Sequence, residues 1–237
     1  MFVPIKNKKV YQHVIEQIQN MVMEGTLKKG DKLPSERDLV AQLGVSRTSI
    51  REALRSLEVI GLIESRQGEG NFISGNIDSS FFEPLSVMFM LNKGNPESIL
   101  ELRMIIEVEA AAIAAKKIKE EDIEEMKNLM DELRKAQNEI ESAKVDKKLH
   151  YKIAQITGNY LIVTLLNAIS SLMESFIKDA RGMILREEEK REVLMEQHQK
   201  ICDALIEKDS KKAILAMKEH LETINETMKK LPKKKII

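Results

Sequence analysis

Between Leu33 and Ile73 the chain reads LPSERDLVAQLGVSRTSIREALRSLEVIGLIESRQGEGNFI, and the punctuation of that stretch leaves little conformational freedom. Pro34 ends an extended segment, and Ser35 offers a hydroxyl to cap a helix from Glu36 to Leu43. Gly44 stops that helix, and Ser46 caps a second one from Arg47 to about Ile60. Ile50, Leu54, Leu57 and Val59 are expected to face inward, leaving Arg47, Thr48 and Arg51 on the polar side. Gly61 ends the helix. Two short strands, Leu62 to Ser65 and Asn71 to Ser74, then flank a tip of Gln67, Gly68, Glu69 and Gly70, where glycine permits positive φ and close approach to a sugar-phosphate backbone. Helix, tight turn, helix and β-ribbon in this order make a winged helix-turn-helix. The polar N-terminal end of its second helix is the part that enters a major groove, where arginine donates two bonds to guanine and a hydroxyl reaches a base or phosphate.

Downstream the pattern changes. Gly75 to Ser80, GNIDSS, consists mostly of loop formers and is expected to link residues 1–74 to a second domain over 81–231, followed by a short tail at 232–237. Asn95 and Pro96 open a helical run to Ile118 whose Ile99, Leu102, Ile105, Ile106, Val108 and Ala112 are expected to form the buried face. Further helices are expected near 120–139, 141–157, 159–182, 187–208 and 210–231, broken by Gly158, Gly182 and Asp209. The expected fold class is therefore mainly α: the amino-terminal winged helix-turn-helix plus an all-α bundle of six or seven helices.

Composition narrows the function. The net charge is zero, and residues 1–76 carry 11 Lys and Arg against 9 Asp and Glu, so recognition of a polyanion would depend on where the arginines point. No apolar run is long enough to cross a bilayer and no secretory leader is recognisable, which gives the expectation of a cytoplasmic protein without a membrane partner. The single cysteine, Cys202, falls within an apolar stripe and reads as an inert core thiol.

Three of the four histidines, His150, His198 and His220, lie on three different expected helices of the second domain. His198 continues the stripe of Leu194, Ile201 and Leu205, and His220 that of Met217 and Ile224, so both point into the bundle. Asp146 precedes His150 by four residues and shares its helical face. Together the four could offer one oxygen and three nitrogens to a divalent cation. A histidine on an apolar face is also a common hydrogen-bonded core residue, and spacing alone does not bring three helices together.

LPSERDLV, GVSRTSIREALRSLE and GLIESRQGEGNFI, followed by a helical remainder, closely resemble the GntR family of bacterial transcription regulators. The resemblance implies that Arg37 contacts phosphate, that Arg47 and Arg51 reach base edges or backbone, and that Thr48 and Gly68, beside Gln67 at the wing tip, touch the backbone or minor groove. The runs VDKKLHYKIAQITGN, EQHQKICDALIEKD and AILAMKEHLETI resemble the metal-bearing motifs of the FadR-type ligand domain, also called FCD. That likeness implies Asp146, His150, His198 and His220 as ligands of a divalent metal. Zinc is expected, with nickel, manganese or iron able to take the same ligands. Leu149 stands where an aromatic residue commonly precedes the first histidine of the pattern. In ELRMIIEVEAAAIAA the resemblance points Arg103 at an effector pocket, although an ordinary surface pair with Glu107 fits the same spacing. Asn159, equally a helix cap, and Arg181, equally a solvated charge, are further effector candidates.

The combined expectation is a homodimeric repressor that reads a palindromic DNA operator and responds to a small carboxylate metabolite held with help from the metal. A sensor of the cation itself is the alternative. A helical metalloenzyme is disfavoured, because there is no HExxH helix, no His-Asp dipeptide and no Ser or Cys nucleophile beside a spare histidine.

Overall fold

In the computed structural model residues 9–74, 78–92, 94–176 and 188–229 are described. The chain divides into two compact units at Leu85/Ser86. The first contains α1 (Val10–Met23), α2 (Glu36–Leu43), α3 (Arg47–Val59), β1 (Ile63–Arg66) and β2 (Gly70–Ile73). The second contains α5 (Pro96–Lys117), α6 (Glu120–Lys135), α7 (Glu139–Ile156), α8 (Tyr160–Phe176), α9 (Glu188–Ile206) and α10 (Ser210–Lys229). Helix α4 (Asp78–Leu91) runs across the division, so Asp78, Ser79 and Ser80 of the expected linker are helical and the division falls further along the chain.

Capping chemistry sets the helix ends in the first unit. Ser35 Oγ accepts from the Asp38 N–H at 3.2 Å, and Ser46 Oγ accepts from the Ser49 N–H at 3.1 Å. Gly44 ends α2 at φ 63°, a left-handed conformation in which a Cβ is strained. Val14, Ile18, Leu39, Ile50, Leu54, Leu57, Ile63 and Ile73 close one apolar core between the helices and the base of the hairpin. The strands are antiparallel, with Ile63 opposite Ile73 and Arg66 opposite Gly70. The segment before α2 pairs with the other edge of β2, through Leu33 N–H to Asn71 O and Ile73 N–H to Asp31 O, each 2.8 Å. That third partner anchors the wing.

Val59 departs from expectation: it is 71% exposed, and Ala53 is buried in the core instead. Val59 follows Ile50 by nine positions, about two and a half helical turns, and so points to the opposite side of α3.

The second unit is the expected helical bundle. Asn95 Oδ1 caps α5 by accepting from the Glu97 N–H at 3.0 Å, with Pro96 in the first turn. Asn138 caps α7 in the same way, so that helix begins at Glu139 and α6 ends at Lys135. Helix α5 packs along α7, α8, α9 and α10. Its phase differs from the expected one: Leu102 and Ile105 are 42% and 68% exposed, while Ile99, Leu100, Arg103, Glu107, Ala110, Ala111, Ala114 and Ala115 are buried. The alanines explain this. They give α5 a narrow surface on which neighbouring helices approach closely, and the same stripe, followed back by threes and fours, passes through Glu107 and Arg103.

The α3 phase is open to a direct stability check. Leu57→Ala, in the core, should cost about 2–5 kcal/mol, whereas Val59→Ala should change stability by less than about 0.5 kcal/mol, both read from denaturant unfolding of the full chain.

Candidate metal centre and nucleic-acid interface

Helices α7, α9 and α10 bring Asp146, His150, His198 and His220 to one place inside the bundle. One ligand-capable atom from each lies within 4.8 Å of those of the other three. The three imidazoles are buried and Asp146 is partly so. His198 and His220 have ring centroids 4.4 Å apart, and His150 and His220 5.2 Å. Asp146 Oδ1 sits 2.8 Å from His198 Nε2 and 3.7 Å from His150 Nε2.

The donor set suits a divalent cation. Ligands on opposite sides of one ion at about 2.1 Å are about 4.2 Å apart, so the cluster is near the required size. Both ring nitrogens of His220 and Nε2 of His150 are buried without a hydrogen-bond partner among the described residues. An orphaned buried imidazole nitrogen is costly unless something accepts its lone pair or proton. Burial, followed by the neighbouring His198, His150 and Arg103, pushes the His220 pKa well below the usual histidine value, against the opposing pull of Glu107. A neutral imidazole is the form that ligates a metal.

Glu107 is the residue that sequence reasoning did not place. It is fully enclosed by α5 and its neighbours, and its two carboxylate oxygens are divided: Oε1 accepts from Arg103 Nε, and Oε2 meets His150 Nδ1. Burial alone would raise its pKa. The Arg103 charge and then His150, by charge and hydrogen bonding, outweigh burial and hold the carboxyl well below the usual range. An ionised carboxylate can only accept, so Nδ1 of His150 donates to it, and Nε2 is the ring nitrogen on the Asp146 side. The one available signal was the Arg103/Glu107 spacing, and that spacing equally fits a surface pair.

Arg103 is buried and not at the surface, with Nη1 3.2 Å from Met173 Sδ on α8. Asn159 is exposed at the start of α8, where its Oδ1 accepts from the Leu161 N–H at 3.0 Å, which gives it a capping role. Arg181 lies outside the described residues. Cys202 follows His198 by one turn of α9 but belongs to the apolar core, where burial, reinforced by Asp203 against a weaker pull from Arg134, pushes its thiol up to about 12. It is not among the clustered donors.

In the first unit the candidate DNA contacts are exposed. Arg47 and Arg51, at the N-terminal end of α3, have side chains 78% and 71% accessible, and both face Glu36 at 3.6 and 3.9 Å. Exposed pairs at such distances are worth little and leave both guanidiniums available. Thr48 and Arg37 are exposed as well, as are Gln67 and Gly68 at the wing tip, where Gly68 has φ 78°. The wing adds two cations absent from the expected set: Arg66 stacks over the Phe72 ring at 4.3 Å, and Lys32 lies 5.8 Å from the same ring.

Comparison with known proteins agrees with both halves. Residues 10–73 match the family of bacterial regulatory proteins called gntR, and residues 98–223 match the FCD domain. The chain is 32% identical over 187 residues to the HTH-type transcriptional regulator LutR of Bacillus subtilis, covering 78% of this chain and 85% of the relative. It is 30% identical over 202 residues to the putative L-lactate dehydrogenase operon regulatory protein of Escherichia coli, covering 84% and 78%. Among solved structures Streptococcus agalactiae GntR superposes with a TM-score of 0.69 at 24% identity, over 92% of this chain and 99% of that one, a likeness of fold. A winged helix-turn-helix joined to an all-helical unit with a buried histidine cluster defines a two-domain transcription regulator. The chain belongs to the GntR family, in its FadR-type branch with an FCD domain, and its relatives are regulators, not enzymes. No helix among the described residues is long and apolar enough to cross a membrane.

The burial of Cys202 has a chemical consequence. The native chain at pH 8 should fail to react with a disulfide reagent such as dithiobis-nitrobenzoate, and should release one equivalent of thiolate once unfolded in guanidinium; rapid reaction of the native chain would contradict the packing described.

Proposed function

We propose that this protein is a homodimeric, DNA-binding transcription repressor whose FCD unit holds a divalent cation on Asp146, His150, His198 and His220 and uses it to bind a small carboxylate effector. The observation that carries the reading is the convergence of those four donors in a bundle core, in a chain whose other unit presents Arg47, Thr48 and Arg51 outward on a capped helix. Arg47 and Arg51 would donate to base edges or phosphate in the major groove, Arg37 to the flanking backbone, and the tip at Gln67 and Gly68 would approach the minor groove.

Zinc suits three imidazoles and a carboxylate, and a bound cation would supply a Lewis-acid position at which a carboxylate can replace water. Arg103 places a guanidinium beside the same cluster, available to an anion only to the extent that Glu107 yields it. The carboxylate class also fits a relative named as a putative L-lactate dehydrogenase operon regulatory protein. Self-association is favoured by the apolar residues that α5 and α8 leave outward, Leu102, Ile105, Leu161 and Leu165. A two-fold dimer would read a two-fold symmetric site. An effector alters DNA binding only through a difference in affinity between the competent and incompetent states.

Operator affinity tests all of this at once. A duplex selected from a random pool should be bound by the full chain, and Arg47→Ala and Arg51→Ala should each weaken specific binding by about 1–3 kcal/mol. Adding lactate, glycolate or another small hydroxy acid to zinc-loaded protein should shift that affinity, and the shift should vanish when the protein is metal-stripped. A response to zinc alone would favour the cation sensor, and no selection of any duplex would reject the DNA-binding reading.

A further inference from the structure

We propose that Glu107 is a positioning residue for the metal centre: bridging Arg103 on its own helix and His150 on α7, it selects the tautomer and fixes the ring plane of His150 so that Nε2 faces the other donors. The proposal rests on the reading of the cluster as a metal site.

The geometry is specific. Glu107 is 43 residues from His150 in sequence and is almost wholly buried, so a solvated alternative partner is not at hand for either side chain. The carboxylate spends one oxygen on each neighbour, Oε1 on Arg103 Nε and Oε2 on His150 Nδ1, so neither bond can be dropped without leaving a buried polar group alone. A metal-ligating histidine whose second nitrogen donates to a carboxylate is held in the tautomer that presents its lone pair to the ion, and its basicity is raised. His150 has such a partner, Glu107, on its remote nitrogen. Neither ring nitrogen of His220 has a hydrogen-bond partner among the described residues, and His198 turns Nε2 toward Asp146 Oδ1 at 2.8 Å. The bond from Glu107 orients the His150 ring before any ion arrives, and Arg103 sets the position of that carboxylate. The arrangement also links the guanidinium to the metal centre through a single side chain, so a group that drew Arg103 away from Glu107 would disturb His150 directly.

The experiment uses the full chain, metal-stripped, in competition with a chromophoric chelator for zinc. Glu107→Ala should bind zinc about 10- to 100-fold more weakly than wild type, Glu107→Gln, which keeps an accepting oxygen, should fall between, and His220→Ala, which removes a ligand, should lose the site. A second readout is independent of zinc: in long-range 1H–15N spectra of the metal-free histidine rings, His150 should show a protonated Nδ1 and an unprotonated Nε2 in wild type, and lose that preference in Glu107→Ala. Should Glu107→Ala fail to fold because Arg103 is left alone, the double variant Arg103→Met with Glu107→Gln removes the stranded cation at similar volume and should still bind zinc more weakly than wild type. A wild-type chain that takes up no zinc overturns the metal reading itself. A wild-type chain that binds zinc, with Glu107 variants that match it within about twofold and keep the His150 tautomer, overturns the positioning role alone.

Discussion

Three imidazoles packed against one another in a helical core create a demand that apolar packing does not meet. Each neutral ring brings one donor and one acceptor, and burial removes the water that would otherwise satisfy them. His150 answers half of this through Glu107 and Asp146 Oδ1 lies 2.8 Å from His198 Nε2, while His220 finds no hydrogen-bond partner among the described residues. Much of the second unit follows from holding these groups together. Helix α5 turns its alanine stripe inward to let the other helices close, and that phase carries Arg103 and Glu107 into the core at the cost of leaving Leu102 and Ile105 outside. Such a cluster calls for something that compensates the lost hydration, and a cation shared by four donors would do so.

The first unit solves a different problem, presenting cations without a strongly basic surface. The chain as a whole is neutral, and Glu36 lies within 4 Å of both Arg47 and Arg51. A nearby carboxylate lowers the general attraction to polyanions while leaving the guanidiniums exposed, which favours contacts that depend on geometry over those that depend on charge alone. The wing follows the same pattern, with Arg66 held between Glu64 and the face of Phe72 instead of extending freely.

The turns and caps were legible because their causes are local. Ser35, Gly44, Ser46, Asn95 and Pro96 act on their own neighbours, and the structure has each doing so. Helix phase was less legible. Val59, Leu102 and Ile105 are apolar, yet they lie off the packed stripe, and an apolar side chain does not announce which of two faces it occupies when alanines offer the better close-packing surface. The stretch around Asp78 reads as loop by composition, but its Asp and Ser residues begin α4, since the residue types that form turns also start helices. The histidine cluster was visible as rare residues on apolar stripes plus a family likeness, whereas its convergence is a tertiary fact. Glu107 was hidden for the same reason: its decisive partner is on another helix, and its sequence neighbour Arg103 suggested only a surface pair.

The central claim is that the buried cluster exists to hold a cation. The most direct measurement is elemental analysis combined with native mass spectrometry of the full chain, wild type and His220→Ala, after exposure to zinc and removal of excess. The account predicts one tightly held divalent ion per wild-type chain and none in the variant. A folded wild-type chain with no bound metal, or equal metal content in the two proteins, would contradict it.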